Sequence, residues 1–127
     1  LEDSTNKNDG FFLNIAINYG GRDEIIRAVR KIYQEIDDKK FNSNDINSRL
    51  FANYLDTAGQ KDPDLIIRTA GERRLSNFLL WQTSYSELYF TDEMWPDFSQ
   101  SSLKIAIDWY NSRVRKYGTV NNEMHNQ

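Results

Sequence analysis

The sequence predicts an α/β fold in which a parallel central sheet is flanked by helices. Two observations lead to this prediction. Apolar segments suited to strands, at residues 11–19 and 65–67, alternate with segments whose apolar residues recur every three or four positions. The second of these strand-like segments is a short β-branched run of the kind found in buried parallel strands. With 127 residues, the chain forms one domain at most.

In the first half of the chain, the predicted strand at residues 11–19 ends at Gly20-Gly21, which is interpreted as a tight turn because it lacks the spacing of a dinucleotide-binding loop. A long helix is predicted next, over residues 22–38, from the apolar residues on one face: Ile25, Ile26, Val29, Ile32, Tyr33 and Ile36. After it, residues 42–45 offer a cap for a second, shorter helix that reaches about Tyr54.

The second strand leads into a loop with the features of a phosphate site. Arg68 lies at the carboxyl end of this strand, where ligands bind in open α/β sheets. Ser76 is predicted to cap a helix over residues 77–85. Its hydroxyl and the first free N–H groups of that helix can then face an anion alongside Arg74.

The last part of the chain predicts one more strand and one more helix. The strand covers residues 87–91, which are aromatic and β-like, and Trp95-Pro96-Asp97 stops it. Ser99 or Ser101 is expected to cap the final helix. Its apolar positions repeat every three or four residues as far as the terminal Gly118: Leu103, Ala106, Ile107, Tyr110, Val114 and Tyr117.

The composition excludes several classes of function. Acidic and basic residues nearly balance, at 19 against 16, and the arginines cluster locally, which argues against a general nucleic-acid-binding surface. The absence of cysteine excludes disulfides, thiol nucleophiles and thiolate metal sites. The single histidine, His125, lies in a polar tail and is interpreted as a solvated residue. No apolar run approaches the roughly 18 residues that a membrane span requires.

The charged residues of the candidate site also have simpler interpretations. Arg73 and Arg74 also fit a non-functional interpretation, as surface charges or as ion-pair partners of Glu72. Ser76 fits a helix cap with no other role. Glu87, taken by itself, fits a solvated or salt-bridged acid.

Several separate blocks of the sequence resemble the cis-prenyltransferases, the family of undecaprenyl diphosphate synthase and isoprenyl transferase, in the family's own order. The resemblance covers residues 11–118, after a polar lead-in at residues 1–10 and before a tail at residues 119–127 that is expected to be disordered. The blocks are Asn18-Tyr19-Gly20-Gly21-Arg22, residues 64–82 with the segment Arg74-Leu75-Ser76-Asn77-Phe78, Tyr85-Ser86-Glu87-Leu88-Tyr89-Phe90, and Trp95-Pro96-Asp97-Phe98.

One motif of the family is absent from the chain. The family's His-x-x-x-Met-Asp-Gly-Asn-Gly-Arg-Trp phosphate loop does not occur in the sequence, which begins at Leu1 without an initiator methionine. The chain therefore resembles the C-terminal half of such an enzyme and is expected to be a segment of a longer protein. Its parallel sheet is accordingly expected to be incomplete, because the N-terminal part of the domain is missing.

The resemblance implies roles for individual residues. Arg68, Arg74 and Ser76 are expected to hold the diphosphate of isopentenyl diphosphate, with the backbone around Leu75 contributing. Glu87 matches a carboxylate associated with the cofactor Mg²⁺.

Four further positions match the family less directly. Glu72 is expected to orient a neighbouring arginine, and Glu24 follows the Gly-Gly-Arg turn where family members carry an acid. Lys116 stands in place of an arginine that reaches the partner subunit's diphosphate site, and it lacks the bidentate fork of arginine. Ala70 stands where a second glycine is common, and a backbone φ below zero would tolerate it.

The activity implied by the resemblance is condensation of isopentenyl diphosphate onto an allylic diphosphate, such as farnesyl diphosphate, to make a long polyprenyl diphosphate. This chemistry needs no covalent nucleophile, and this segment is expected to carry no catalytic residue and to be inactive alone. The resemblance also implies a homodimer that contacts the membrane through its lipid product, in the cytoplasm at the inner face of the membrane.

Two alternatives belong to other classes. The first is a non-catalytic partner subunit of a cis-prenyltransferase complex, which would not need Arg68, Arg74, Ser76 and Glu87. The second is an unrelated phosphate-binding α/β module, which would not account for the Trp-Pro-Asp-Phe and Asn-Tyr-Gly-Gly-Arg blocks.

Overall fold

A computed structural model of the protein describes residues 2–114, which form two compact units. One unit comprises residues 2–60 with Asn77–Leu80, and the other comprises Lys61–Ser76 with residues 81–114. The helices are α1 (Glu2–Thr5), α2 (Gly21–Asp37), α3 (Ser48–Ala52) and α4 (Gln100–Asn111), and the strands are β1 (Leu65–Arg68) and β2 (Glu87–Phe90). The predicted α/β class is confirmed. The predicted tail at residues 119–127 and its His125 lie outside the described residues.

Helix α2 organises the first unit. It confirms the helix predicted from residue 22, but its buried stripe is Gly21, Glu24, Ala28 and Ile32. Helix α3 packs on α2. The predicted inward face is only partly correct, because Ile26, Val29 and Tyr33 are exposed, Tyr33 to 69%. The reason is that apolar residues line two faces of α2, and the described residues of this unit cover only one.

The strand predicted at residues 11–19 is absent from the described structure. These residues adopt no strand or helix, and their apolar side chains are exposed, Ile17 to 84%. A strand needs a neighbouring strand to pair its backbone groups, and within residues 2–114 the strands β1 and β2 pair with each other. The composition of the segment therefore suits a strand for which this part of the chain offers no partner.

The helix predicted from residues 42–45 to Tyr54 is interrupted. Asn42 begins a single 3-10 turn at Ser43–Asp45, and α3 starts separately after Asn47. The side chain of Asn47 accepts a hydrogen bond from the N–H of Leu50 at 3.0 Å, as an N-cap residue does. The second cap, which the sequence pattern did not predict, divides the segment into two short elements.

The second unit is built on a parallel pair of strands. β1 and β2 run side by side, with Leu65 opposite Glu87 and Arg68 opposite Phe90. Helix α4 packs on β2, and the rings of Tyr89 and Trp109 lie 5.3 Å apart. The predicted parallel pairing is confirmed.

Helix α4 begins where the sequence predicts. Ser99 is its N-cap and forms a capping box with Ser102. The buried Ser102 hydroxyl also donates to a carboxylate oxygen of Glu93 at 2.6 Å. The helix ends at Asn111, before the predicted end at Gly118, which lies outside the described residues.

The helix predicted over residues 77–85 is absent, and Ser76 is not a helix cap. Ser76, Asn77 and Leu79 have φ angles of 48°, 66° and 46°, all in the left-handed region. A right-handed helix cannot pass through such residues, and an N-cap residue has an extended backbone. The segment instead forms a series of turns.

Ala70 also departs from its expected backbone. Its φ is 65°, which is positive rather than below zero, and Gly71 follows with a φ of 70°. A left-handed conformation costs an alanine about 1–2 kcal/mol. Ala70 is therefore strained at a position that favours glycine.

Replacing Ala70 with glycine is expected to raise the free energy of unfolding by about 1 kcal/mol, because glycine adopts a positive φ without strain. Urea denaturation measures the change. The matched control is Ala58→Gly, since Ala58 lies in a turn and has no positive φ. That substitution is expected to destabilise the chain, so an equal loss at both positions would contradict the strain at Ala70.

Candidate functional site

The candidate site begins at the carboxyl end of β1. Arg68 is the last residue of this strand, and its carbonyl oxygen accepts the N–H of Thr91 at 3.0 Å. Its side chain is half-buried, and among residues 2–114 no carboxylate forms an ion pair with its guanidinium. The carboxyl ends of parallel strands are where ligands bind in open α/β sheets. Arg68 is therefore a cation at a binding position, with its charge not committed to an internal partner in this part of the chain.

The loop after β1 is fixed by its backbone. The N–H of Ala70 donates to the carbonyl of Glu93 at 2.7 Å, and the N–H of Gly71 donates to the carbonyl of Thr91 at 3.0 Å. A Cβ atom on Gly71 would lie 3.2 Å from a carboxylate oxygen of Asp92. These contacts hold the start of the arginine loop against the segment that follows β2.

Arg74 forms an ion pair with Glu72, between Nη1 and Oε2. Both side chains are exposed, and such a pair contributes only about 0–1 kcal/mol in water. The pairing includes one of the guanidinium's two terminal nitrogens. The fork of Arg74 consequently remains able to bind a second anion at little cost.

Ser76 and Leu75 follow Arg74 directly in the chain. The side chain of Ser76 is exposed and Leu75 is half-buried. Because no helix begins at Ser76, the predicted anion site at a helix N-terminus is wrong. Ser76 instead offers an anion its hydroxyl group, on a residue whose backbone is in the left-handed conformation.

Glu87 lies at the other end of the strand pair. The register places it beside Leu65, while Arg68 is three positions further along β1, which corresponds to about 10 Å at 3.3 Å per residue. Its Oε2 accepts a hydrogen bond from Nε of Arg113 at 3.3 Å, and Arg113 also lies 5.3 Å from the ring centre of Trp109. Glu87 is therefore salt-bridged, and the sheet itself does not bring it to Arg68.

The acidic side chains of the described residues do not by themselves form a complete Mg²⁺ site. Within the described residues, no group of three or more histidine, cysteine, aspartate or glutamate side chains is arranged to hold a metal ion. Mg²⁺ requires six oxygen ligands, and it usually keeps several waters while binding one or two carboxylates and substrate phosphates. One carboxylate at Glu87 is compatible with that pattern and does not complete it.

Glu24 lies in the interior of the first unit, with 1% of its surface exposed. Its Oε2 accepts the hydroxyl of Tyr19 at 2.5 Å, and its Oε1 accepts the N–H of Asp56 at 2.8 Å. Burial and the Glu24 carboxylate together raise the pKa of the Tyr19 phenol. The pKa of Asp56 is lowered by its hydrogen bond to Arg27. Glu24 thus joins two segments of the chain instead of facing a cleft.

One residue of this region was missed from the sequence alone. Asn77 accepts the N–H of Gly21 on its carbonyl at 2.7 Å and the N–H of Arg22 on Oδ1 at 2.9 Å. The only signal for it in the sequence is that Gly20, which precedes α2, has no side chain to cap the helix. Lys116, the remaining candidate, lies outside the described residues.

No helix of residues 2–114 combines the length and the apolar character needed to cross a bilayer.

The sequence matches a family model described as "Putative undecaprenyl diphosphate synthase" over residues 1–118. The isoprenyl transferase of Streptococcus mutans is 54% identical over 120 residues, which cover 91% of this chain and 48% of that protein. The isoprenyl transferase of Clostridium tetani is 51% identical over 116 residues, which cover 91% of this chain and 46% of that protein. The chain spans about half the length of these curated relatives.

Solved structures share the fold. The lavandulyl diphosphate synthase of Lavandula x intermedia, in complex with dimethylallyl diphosphate, superposes with a TM-score of 0.90 at 40% identity, covering 93% of this chain and 51% of that one. A probable undecaprenyl diphosphate synthase from Campylobacter jejuni gives a TM-score of 0.78 at 37% identity, covering 93% of this chain and 52% of that one. The resemblance noted in the sequence is confirmed, and the chain belongs to the undecaprenyl diphosphate synthase family of cis-prenyltransferases.

Proposed function

We propose that the protein carrying this chain is a cis-prenyltransferase, which condenses isopentenyl diphosphate onto an allylic diphosphate such as farnesyl diphosphate to make a long polyprenyl diphosphate. The observation that carries the proposal is Arg68, a half-buried cation at the carboxyl end of β1 without an ion pair among the described residues. The relatives named isoprenyl transferase support the same reaction.

The diphosphate of isopentenyl diphosphate is proposed to bind Arg68, Arg74, the hydroxyl of Ser76 and the backbone at Leu75. A planar guanidinium pairs with two phosphate oxygens at once, and each charge-assisted hydrogen bond contributes roughly 1.5–3 kcal/mol. Condensation requires that the acceptor alkene be held close to the allylic carbon and that one proton be removed. The proposed role of these residues is therefore to bind and orient one substrate.

Glu72 and Glu87 are proposed to support that site in different ways. Glu72 orients Arg74 through their ion pair. Glu87 would supply one oxygen ligand to Mg²⁺, which when bound neutralises diphosphate charge. The contact with Arg113 engages only Oε2 of Glu87, at a distance long for a strong hydrogen bond, so the carboxylate is able to exchange this partner for a cation.

Replacing Glu87 with glutamine is expected to raise the Mg²⁺ concentration needed for half-maximal activity, because an amide oxygen is a weaker ligand than a carboxylate. Initial rates across a Mg²⁺ titration of the complete enzyme measure the shift. The matched control is Asp62→Asn, which removes one charge at an exposed position of the same unit, outside the sequence blocks that resemble the family. Unchanged activity at both limiting and saturating Mg²⁺ would contradict a role in Mg²⁺ binding and would show that Glu87 is structural only, through its contact with Arg113.

We also propose the assembly and location that the family implies. Residues 11–118 form the C-terminal part of the enzyme domain, and two copies of the protein associate as a homodimer. The exposure of Tyr85, at 78%, and of Trp95, at 75%, supports an interface in this aromatic segment. The polyprenyl product would bring the enzyme into contact with the inner face of the cytoplasmic membrane.

The 127-residue chain by itself is expected to give no product, because the family's phosphate loop for the allylic substrate does not occur in it. Labelled isopentenyl diphosphate, farnesyl diphosphate and Mg²⁺ are incubated with this chain and, in parallel, with a longer protein that contains both this chain and the loop. Product from the longer protein alone is the expected result. Turnover by the short chain would contradict its proposed inactivity, and no turnover by the longer protein would refute the proposed activity.

A further inference from the structure

We propose that Asn77 is a positioning residue, which holds the loop carrying Arg74 and Ser76 in its binding conformation by capping the N-terminus of helix α2. This inference rests on the proposed role of Arg74 and Ser76 in binding a diphosphate. Asn77 itself is not proposed to touch the substrate.

Helix α2 lacks a cap from its own segment. Gly20 is the N-cap residue, its φ of −148° is extended, and it makes no side-chain cap hydrogen bond. Asn77, 55 residues away from Arg22 in the sequence, accepts two of the first N–H groups of the helix instead. One bond, from Gly21, ends on the main-chain oxygen of Asn77, and the other, from Arg22, ends on its Oδ1. Asn77 therefore supplies the cap that a local serine or aspartate normally provides.

Two glycines at the start of the helix, the N-cap Gly20 and the first helical residue Gly21, leave room for this contact. A Cβ atom on Gly20 would lie 2.8 Å from Nδ2 of Asn77. A Cβ atom on Gly21 would lie 2.9 Å from Cγ of Leu80 and 3.1 Å from the main-chain oxygen of Asn77. Real Cβ atoms are almost never found as close to another atom as 2.8 or 2.9 Å. The predicted tight turn at Gly20-Gly21 is wrong, because Gly20 is extended and Gly21 begins α2. The two glycines instead allow the close approach of residues 77–80.

The backbone at the end of the loop needs such an anchor. Ser76 and Asn77 are consecutive left-handed residues, with φ angles of 48° and 66°. This conformation is unfavourable for serine and tolerated best, among residues with a side chain, by asparagine and aspartate. Two hydrogen bonds to the helix offset that strain. Because Ser76 is joined to Asn77 by one peptide bond, fixing the backbone of Asn77 restricts the conformations that are open to Ser76.

The expected change in the dissociation constant depends on how often the loop adopts its binding conformation. A loop that adopts its binding conformation only part of the time binds its ligand more weakly in the same proportion. Losing Oδ1 of Asn77 removes one hydrogen bond, from the N–H of Arg22, and the usual net strength of such a bond corresponds to roughly a fivefold change in an equilibrium constant. A fivefold rise in dissociation constant is therefore about the largest weakening that this anchor can cause.

The test compares two variants of Asn77 in a complete enzyme that contains this chain. Asn77→Gly removes Oδ1 but keeps the main-chain acceptor and tolerates a positive φ. Asn77→Asp keeps an acceptor for the N–H of Arg22 and places a negative charge at a helix N-terminus, where it is favourable. Titration calorimetry with isopentenyl diphosphate is expected to give a roughly fivefold higher dissociation constant for Asn77→Gly. At an ionic strength that screens its added negative charge from the diphosphate, Asn77→Asp is expected to bind nearly as tightly as the wild-type protein.

Two controls separate positioning from general destabilisation. Leu55→Ala weakens the buried interior of the same unit without altering Asn77, and it is expected to leave binding unchanged at a temperature where the protein is folded. In an Arg74→Ala/Ser76→Ala background, Asn77→Gly is expected to cause a smaller further loss, because only the backbone at Leu75 remains for it to position. Hydrogen exchange at the Arg22 amide verifies that the cap is lost in Asn77→Gly and kept in Asn77→Asp.

Each result discriminates. Unchanged binding by Asn77→Gly, an equal loss in Leu55→Ala, or a full further loss in the double-alanine background would overturn the positioning role of Asn77 alone. Failure of the wild-type enzyme to bind isopentenyl diphosphate would instead overturn the proposed function on which the inference rests.

Discussion

Replacing Arg68 with alanine is expected to weaken the binding of isopentenyl diphosphate by about 2–5 kcal/mol, while binding of the allylic diphosphate changes little. The reason is that Arg68 is half-buried at the end of β1 and is not paired with a carboxylate among residues 2–114, so its full charge is available to a ligand. Removing it leaves part of the multiply charged diphosphate without a partner. Titration of a complete enzyme with each substrate separately measures the two affinities.

Two further substitutions control for charge. Arg68→Lys keeps the charge but loses the bidentate fork, and its affinity is expected to fall between those of the wild type and the alanine variant. Arg30→Ala removes an arginine from the exposed surface of α2 and is expected to leave both affinities unchanged. Equal losses of isopentenyl and allylic binding in Arg68→Ala would count against the assignment of Arg68 to one substrate.

The elements that the sequence predicts correctly are those whose signals are local. Helix α4 combines an apolar repeat with Ser99 as a cap, and both signals lie within the helix or next to it. Strand β1 is a short β-branched run, and its end at Arg68 coincides with the change from apolar to polar residues. The location of Arg68 at a strand end could therefore be predicted without any knowledge of neighbouring elements.

The elements that the sequence predicts wrongly depend on residues far away in the chain. Residues 11–19 have the composition of a strand, but a strand forms only where another strand pairs with it. The sequence predicts a helix over residues 77–85, yet Asn77 is bonded to Gly21 and Arg22, and its left-handed backbone prevents a helix from starting there. Tertiary contacts override local propensity in this segment.

The candidate site shows the same division. That Arg74 and Glu72 are close follows from their spacing, whereas the separation of Glu87 from Arg68 follows from the register of β1 against β2. A register is a property of two strands, which a pattern within one of them does not specify. Glu24 is among the candidate residues because it follows the Gly-Gly-Arg turn. That its side chain points into the interior is evident only once Ala28 and Ile32, on the same face of α2, are known to be buried.

The interior position of Glu24 leads to a large expected effect on stability. Replacing Glu24 with alanine is expected to lower the free energy of unfolding by about 3 kcal/mol, since it leaves the Tyr19 hydroxyl and the Asp56 N–H without their acceptor and opens a cavity. Chemical denaturation of the purified chain measures the loss. Tyr19→Phe, which removes a single donor to the same carboxylate, is expected to cost about 1 kcal/mol.

The exposed acid Asp37, on the same helix, provides the comparison that decides between a structural and a ligand-binding role for Glu24. Asp37→Ala is expected to change the stability by no more than about 0.5 kcal/mol, as surface substitutions usually do. A carboxylate that faced a substrate would be desolvated only when the ligand is bound, so its loss would barely affect the unliganded chain. If Glu24→Ala proved no more destabilising than Asp37→Ala, the hydrogen bonds to Tyr19 and Asp56 would not stabilise the unliganded chain, and the structural role of Glu24 would be refuted.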